Sequence, residues 1–200
     1  MVMGFTLVEM MVTIAIMSVV GSMIFFRFPL LNHSIFLQQA ARSLAFTFRN
    51  AESRAVNVSQ VSCGSPPCFP SSHGVFVTPA TSDTMPSDGV PDNEQFILFT
   101  DRDSDGRFDP SAGCGGIADE CILKYRFTNK VSITAIQSPP ATPEPNGLSV
   151  LYKRPDPTVE IRNNTTLLTN IGPFIITIQQ SGYSDVKTIR VWRTGQISIQ

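Results

Sequence analysis

The first 26 residues constrain this chain most, because they contain an apolar segment long enough to cross a membrane. From Phe5 to Phe26 the sequence is apolar apart from one charge, Glu9, and a few small hydroxyl residues. At a rise of 1.5 Å per residue this segment forms a helix of about 33 Å, enough to span a hydrocarbon layer of about 30 Å. An ionised side chain in that layer costs roughly 2.5 kcal/mol or more. We therefore expect Glu9 to have a functional role.

The flanks of this segment do not fit a cleaved signal peptide. A signal peptide has basic residues before its apolar core and a small-residue cleavage site after the core. Here a small residue, Gly4, precedes the core, and Arg27, Phe28 and Pro29 follow it. The pattern therefore favours a segment that stays in the membrane.

The residues at the start of the segment, Gly4-Phe5-Thr6-Leu7-Val8-Glu9, carry a family resemblance. They resemble the processing site of type IV prepilins and type II secretion pseudopilins. The resemblance implies that residues 1–4 are a leader, that a prepilin peptidase cuts between Gly4 and Phe5, and that Phe5 is then N-methylated. It also implies that Glu9 stays in the membrane. A buried charge needs a partner, and the new cationic amine on Phe5 of a neighbouring subunit would supply one.

The same resemblance implies where the protein works and with what. It predicts a single-pass protein of the inner (cytoplasmic) membrane, with a globular domain outside the cytoplasm, in the periplasm or at the cell surface. The implied partners are other pilin or pseudopilin subunits, prepilin peptidase and the membrane itself.

A second helical pattern follows the apolar segment. Apolar residues recur at steps of four and three along one helix face; they are Leu37, Ala41, Leu44, Phe48, Ala51, Ala55 and Val58. This spacing is typical of an amphipathic helix, and its many alanines favour close packing on the chain's own sheet. The sequence thus predicts one helix over residues 5–58, membrane-spanning in its first half and amphipathic in its second.

Residues 59–200 show the period-two alternation of β-strands. Nine short strands are predicted, at His73–Ala80, Glu94–Thr100, Cys121–Thr128, Val131–Gln137, Leu148–Lys153, Thr158–Arg162, Pro173–Gln180, Lys187–Arg193 and Gln196–Ile199. We expect Thr194-Gly195 to form a tight hairpin turn and Ser138–Pro145 to be an extended surface loop. The fold class is therefore α+β, with the long N-terminal helix packed on an antiparallel β-sandwich-like domain.

Three further stretches extend the resemblance beyond the N-terminus. They are residues 44–55, the strand and acidic turn ILFTDRDSDGRFDP, and the terminal IRVWRTGQISI. They are similar to the GspH/FimT type of minor pseudopilin. This implies a structural subunit that primes or caps a type II secretion pseudopilus or a type IV pilus.

The four cysteines form two close pairs, Cys63/Cys68 and Cys114/Cys121. In an exported domain an even number favours disulfides, with three connectivities open. The short loops rich in Gly and Pro favour pairing of Cys63 with Cys68 and of Cys114 with Cys121. Zinc is the less favoured alternative, because neither spacing matches the usual C-x₂-C knuckle.

An acidic turn follows the second predicted strand. Its aspartates, with a glycine at relative position 6, have the spacing of an EF-hand-like calcium loop; they are Asp101, Asp103, Asp105 and Asp109. Position 12 is Ala112, so the bidentate glutamate is missing, and Asp119 or Glu120 could fold back to replace it. The sequence favours a polar turn whose side chains bond local amides. The alternative is calcium, bound at about 10⁻⁴–10⁻³ M. No other cofactor is expected.

No sequence motif indicates catalysis. The chain contains no G-x-S-x-G elbow, H-E-x-x-H pair or Gly-rich phosphate loop, so we expect no enzymatic activity. The rival function is a membrane-tethered DNA-binding minor pilin of DNA uptake, with Arg190, Trp192 and Arg193 as a small basic-aromatic spot. DNA-uptake relatives carry a C-terminal Gly-Arg-x-Arg pattern, which is Gly195-Gln196-Ile197-Ser198 here. DNA binding is therefore the less favoured function.

Overall fold

The computed structural model describes residues 6–57, 72–81, 88–109, 114, 119–154, 159–163, 166–169 and 172–200. Within the helix, the side chains of residues 25–31 are not described. An N-terminal apolar helix is followed by two antiparallel sheets, which confirms the predicted α+β class.

Helix α1 runs over Leu7–Val56, 50 residues, and Thr6 caps its N-terminus. The Thr6 side chain Oγ1 accepts a hydrogen bond from the Glu9 amide at 3.3 Å, and the Thr6 carbonyl accepts one from the Met10 amide at 3.2 Å. A Thr followed three positions later by Glu is the spacing of a capping box. Glu9 also lies in the first turn, where the helix dipole favours an acid. This capping role was not anticipated from the sequence.

The chain forms two compact units, Met1–Ile35 and Phe36–Gln200. The first contains the span Leu7–Ile24, which is long and apolar enough to cross a membrane and has no buried residue. The second contains the amphipathic half of α1 together with the strands. That half of the helix therefore belongs to the same compact unit as the β-structure.

Ten strands follow α1 in the described part of the chain. They are β1 Ser72–Val77, β2 Gln95–Asp101, β3 Cys121–Arg126, β4 Val131–Ser138, β5 Thr142–Pro143, β6 Leu148–Lys153, β7 Val159–Arg162, β8 Phe174–Gln180, β9 Val186–Val191 and β10 Ile197–Ile199. A 3₁₀ turn, Asp92–Glu94, precedes β2. All nine predicted strands are present, and β5 is additional.

The strands form two five-stranded antiparallel sheets, with the orders β3-β2-β1-β6-β7 and β10-β9-β8-β4-β5. The extra strand β5 corrects the prediction that Ser138–Pro145 is only a surface loop, because Thr142 pairs back with Ser138. Glu144 just beyond it is buried. Its carboxylate accepts hydrogen bonds from Ser138 Oγ at 2.7 Å and Asn163 Nδ2 at 3.0 Å. These bonds hold the segment against the sheet.

The predicted apolar seam of α1 is buried in the main core. Its buried members are Leu37, Ala41, Leu44, Phe48, Ala51 and Ala55. They share one hydrophobic cluster with residues of both sheets, for example Val150 of β6 and Ile176 of β8. The prediction that the seam packs on the chain's own β-structure is confirmed. Val58 lies outside the described residues.

A second, smaller cluster covers the other face of the first sheet. Side chains alternate along a strand, so Phe96 of β2 points into the main core while its neighbours Ile97 and Phe99 join this cluster. Phe108, from the segment after β2, packs here with ring centroids 5.5 Å from Phe99 and 5.4 Å from Phe76. Strand β2 is therefore buried on both faces, and the chain that follows it is anchored by an aromatic side chain.

The hairpin between β9 and β10 turns at Thr194-Gly195, as predicted. The Gly195 amide donates to the Trp192 carbonyl at 2.9 Å, and the Trp192 amide donates to the Gln196 carbonyl at 2.9 Å. Gly195 has a φ of +81°, a conformation that glycine adopts without steric cost.

Candidate functional site

The N-terminal half of α1 presents an apolar surface that none of the described residues covers. Its large apolar side chains are exposed, with Leu7 and Met17 each at 75%. Exposed apolar surface of this extent marks a protein or membrane contact. Gly4 and Phe5, the predicted cleavage and methylation positions, lie outside the described residues.

The small polar groups of this segment are satisfied within the helix. Thr13 Oγ1 donates to the Met10 carbonyl at 2.9 Å, Ser18 Oγ to Ile14 at 2.8 Å and Ser22 Oγ to Val19 at 2.8 Å. Such bonds to the preceding turn let hydroxyl groups enter an apolar medium without an external partner.

Glu9 differs from these hydroxyl residues. Its side chain is exposed, and its carboxylate makes no hydrogen bond to any residue that the structure describes. Within Leu7–Ile24 it is the one charged side chain. The carboxylate is therefore the group of this segment that would need a partner from outside the chain.

The two cysteines that follow the acidic turn form a disulfide. Cys114 and Cys121 are bonded, with their Cα atoms 4.7 Å apart. This confirms the predicted pairing for these two residues and removes both thiolates as zinc ligands. Cys63 and Cys68 lie outside the described residues.

The acidic turn contains two buried carboxylates. Asp101, the last residue of β2, is 1% exposed. Its Oδ2 accepts a hydrogen bond from Ser72 Oγ at 3.1 Å, and the Gly106 amide also donates to this carboxylate. Glu120, directly before β3, is 6% exposed. Its two oxygens accept hydrogen bonds from the amides of Arg102 and Asp109, each at 3.0 Å.

The exposed part of the turn has the local bonding expected of a polar turn. The Asp105 amide donates to Asp103 Oδ1 at 3.0 Å, and the Arg107 amide donates to Asp105 Oδ1 at 2.7 Å. Ser104 and Gly106 have positive φ angles of 66° and 80°. At Gly106, the absent side chain leaves room for the side chain of Arg162.

The fold brings all four predicted aspartates together and adds a fifth acid. Ligand atoms of Asp101, Asp103 and Glu120 lie within 4.8 Å of one another, and so do those of Asp103, Asp105 and Asp109. Asp103 belongs to both groups. Of the two residues considered as substitutes for the missing position-12 glutamate, Glu120 is the one that reaches the cluster.

Burial alters the acidity of this cluster. Burial raises the pKa of Glu120 to about 7, against the opposing effect of the amide hydrogen bonds from Arg102 and Asp109, and the neighbouring charges of Asp101 and Asp103 raise it further. Burial likewise raises the pKa of Asp101, opposed by its hydrogen bonds from Ser72 and from the Gly106 amide, and the charges of Asp103 and Asp105 raise it further. Both carboxyls hold a proton more tightly than exposed acids do.

The basic-aromatic spot proposed for DNA is partly engaged in local structure. Arg190 lies on β9 and is half-buried, and Trp192 directly after the strand is also half-buried. Arg193 is exposed, and its Nη1 donates to the Thr169 carbonyl at 3.3 Å. No contact of these described residues favours nucleic acid over a solvated strand end, so DNA binding stays a prediction.

Comparison with known families bears on the N-terminal segment. The family model for the prokaryotic N-terminal methylation motif matches residues 4–25, which include Gly4, Phe5 and Glu9. No curated protein and no solved structure matches the chain significantly. The matched motif, carried on an exposed apolar helix, supports a type IV prepilin-like protein with a membrane anchor at its N-terminus.

Proposed function

We propose that the protein is a minor pilin or pseudopilin of the GspH/FimT type. In this role it primes or caps a type II secretion pseudopilus or a type IV pilus, after prepilin peptidase cuts between Gly4 and Phe5 and Phe5 is methylated. The observation that carries the proposal is the methylation motif over residues 4–25. The role is structural rather than enzymatic, and the partners are other subunits of the same filament.

The polar chemistry of the apolar helix supports an assembly role for Glu9. Thr13, Ser18 and Ser22 are satisfied by their own helix, and Glu9 is the charge that remains. Cleavage creates a cationic amine on Phe5 of an adjacent subunit. In a medium of low dielectric, opposite charges attract far more strongly than in water. Pairing of this amine with Glu9 would set the axial register of one helix against the next.

The amphipathic half of α1 also has a surface suited to subunit contact. Its seam is occupied by the chain's own core, whereas Phe46 on the other side is 69% exposed. A large exposed aromatic is the type of residue enriched in protein interfaces. It offers a contact for a neighbouring helix.

Processing is tested on the full chain, expressed with a prepilin peptidase and analysed by mass spectrometry. We expect a product that lacks residues 1–4 and carries one methyl group on Phe5. Gly4→Leu should remain uncut, because a bulky side chain replaces the small residue at the cleavage position. A wild-type chain that keeps Met1, or that begins beyond Phe26, would overturn the proposal.

Assembly is tested separately with Glu9→Gln, which removes the charge and nearly preserves the shape. We expect normal membrane insertion and cleavage but far fewer filaments in the native host. Glu52→Gln is the matched control, since it makes the same change in the same helix outside the apolar span. Wild-type filament levels with Glu9→Gln would contradict the assembly role while leaving the processing result intact.

A further inference from the structure

We propose that the Cys114–Cys121 disulfide is a redox-sensitive switch that controls the acidic turn, residues 101–109, through Glu120. In the oxidised protein, the disulfide holds Glu120 where its carboxylate closes the turn. In the reduced protein, that restraint is lost and the turn opens more often. The switch lies within the globular unit, and it does not depend on the assembly role of the protein.

Glu120 joins the two ends of the acidic turn. One carboxylate oxygen accepts a hydrogen bond from the amide of Arg102, the first residue after β2, at 3.0 Å. The other oxygen accepts one from the amide of Asp109, at the far end of the turn, also at 3.0 Å. Glu120 is 6% exposed, and an amide shielded from water is destabilising when it loses its acceptor. Displacement of Glu120 would therefore release both ends of the turn.

The backbone around Glu120 is fixed on both sides. Its carbonyl accepts a hydrogen bond from the Thr100 amide at 2.9 Å, so Glu120 extends the pairing of β3 with β2. The next residue, Cys121, is bonded to Cys114, with their Cα atoms 4.7 Å apart. A covalent crosslink removes conformations that the open chain would otherwise occupy. The disulfide therefore favours the position of Glu120 in which the turn is closed.

The two cysteines differ in exposure, which sets the order of thiol–disulfide exchange. Cys114 is exposed, whereas Cys121 is 2% exposed, and exchange requires access to the reacting sulfur. Oxidation begins when the Cys114 thiolate attacks an external disulfide such as oxidised glutathione, forming a mixed disulfide and releasing one thiol. The Cys121 thiolate then attacks the Cys114 sulfur and releases the second thiol. The cysteine pair loses two electrons and two protons, and the external disulfide gains them.

The state of the switch follows the compartment. Thiols stay reduced in the cytoplasm, and disulfides form in oxidising compartments outside it. The acidic turn would thus open more often before the globular unit leaves the cytoplasm and would close afterwards. This link to export, unlike the switch itself, rests on the proposed function.

The switch is tested by limited digestion of the full-length protein in detergent with trypsin. The acidic turn contains a trypsin site at Arg107, and cleavage there requires the turn to open locally. The double variant Cys114→Ser/Cys121→Ser stands for the reduced protein. We expect cleavage after Arg107 to be about tenfold faster in this variant than in the oxidised wild type.

Two controls separate local opening of the turn from a general loss of stability. Phe48→Leu removes part of a buried ring from the main core and weakens the fold as a whole. Cys63→Ser/Cys68→Ser makes the same double change at the other cysteine pair. Both should leave cleavage after Arg107 at the wild-type rate. Equal acceleration by Phe48→Leu, or an unchanged rate in Cys114→Ser/Cys121→Ser, would overturn the switch.

The route through Glu120 is tested by a double-mutant cycle. Glu120→Gln should speed cleavage after Arg107, because an amide group replaces one accepting oxygen with a donor. Combined with Cys114→Ser/Cys121→Ser, it should speed cleavage by less than the product of the separate effects, since both changes release the same contact. Effects that multiply fully would show that the disulfide acts without Glu120.

If Glu120→Gln fails to fold, as circular dichroism would show, hydrogen exchange of the wild type decides the route. The amides of Arg102 and Asp109 should exchange faster after addition of a reductant. Unchanged exchange would contradict the proposal.

The order of exchange has its own test. Cys121→Ser, which keeps the exposed Cys114, should form a mixed disulfide with oxidised glutathione about tenfold faster than Cys114→Ser, which keeps the buried Cys121. Mass spectrometry of the intact protein measures both rates. Equal rates would contradict the assigned order.

Discussion

Phe46 and Phe48 lie two positions apart on α1 and meet opposite environments: Phe46 is 69% exposed, and Phe48 is fully buried. A helix turns about 100° per residue, so the two rings project about 200° apart. Phe48 joins the core shared by both sheets. Phe46 is left on the outward face of the same helix.

This pair allows a matched test of the helix. Phe48→Ala should lower the free energy of unfolding by about 3–5 kcal/mol, because it leaves a cavity in the core. Phe46→Ala should change it by no more than about 0.5 kcal/mol. Denaturant unfolding of the full chain, followed by the fluorescence of its single tryptophan, Trp192, measures both changes in stability.

If Phe46 is an assembly contact, Phe46→Ala should reduce filament number without loss of stability. Equal destabilisation by the two variants would show that the exposed and buried faces are assigned wrongly.

Gly74 on β1 is a site where any side chain should destabilise the first sheet. A Cβ there would lie 2.7 Å from the Val150 carbonyl oxygen and 2.8 Å from Cε1 of Phe99. The carbonyl belongs to the paired strand β6 and cannot move away without breaking the ladder. We expect Gly74→Ala to lower the Tm, with a free-energy cost of about 1–3 kcal/mol.

Gly182 is the control for that substitution, because a Cβ there would meet nothing within 4 Å although its φ is +89°. Its replacement by Ala tests backbone strain without overpacking, at a cost of about 1 kcal/mol. A Gly74→Ala protein as stable as the wild type would contradict the close approach of Phe99 and β6.

Removal of the Cys114–Cys121 disulfide should weaken the fold. The bond closes a short loop, with a sequence separation of 7, so the double variant Cys114→Ser/Cys121→Ser should lose about 2 kcal/mol of stability. Denaturant unfolding of the double variant and of the wild type measures this loss. A double variant as stable as the wild type would show that the disulfide does not stabilise the fold.

His73 should make the stability of the protein fall in mildly acidic solution. This residue of β1 is fully buried, and neither of its ring nitrogens has a hydrogen-bond partner among the residues that the structure describes. Burial, with the nearby charges of Arg54 and Arg154, lowers the pKa of His73 to about 4. The unfolded chain takes up the proton near pH 6.5. The contribution of neutral His73 to the free energy of unfolding is therefore complete above pH 6.5. It is lost as the pH falls towards 4, by up to about 3 kcal/mol.

The comparison that isolates this effect is wild type against His73→Leu, which cannot titrate. Glu120 works in the opposite direction: its raised pKa contributes stability at low pH that is lost as the pH rises towards 7. The difference in free energy of unfolding between the two proteins at each pH therefore isolates the effect of His73. As the pH falls from 6.5 to 4, the wild type should lose stability relative to the variant. A difference that does not vary with pH would show that His73 is protonated equally in both states.

Several features could be predicted from the sequence because they depend on local periodicity. The seam from Leu37 to Ala55 follows the repeat of a helix, and burial of its members is confirmed. The strands follow a period of two, and all nine were found. The turn at Gly195 and the amide-bonding aspartates Asp103 and Asp105 depend on neighbours within a few residues. Such patterns depend on neighbouring residues and do not require knowledge of the tertiary contacts.

The sequence by itself thus determined the helix, the strands, the methylation motif and the aspartates of the acidic turn. Only the tertiary structure decided that Glu120 joins the acidic cluster and that Phe108 anchors the turn. It also decided that His73 is buried without a hydrogen-bond partner in the described part of the chain. Each of these depends on strand pairing between residues far apart in the chain. β2 lies between β1 and β3, which places Asp101 beside Ser72 and brings the segment before β3 back to the turn. No local period encodes that pairing, because it is chosen by the free energy of burying both faces of β2 at once.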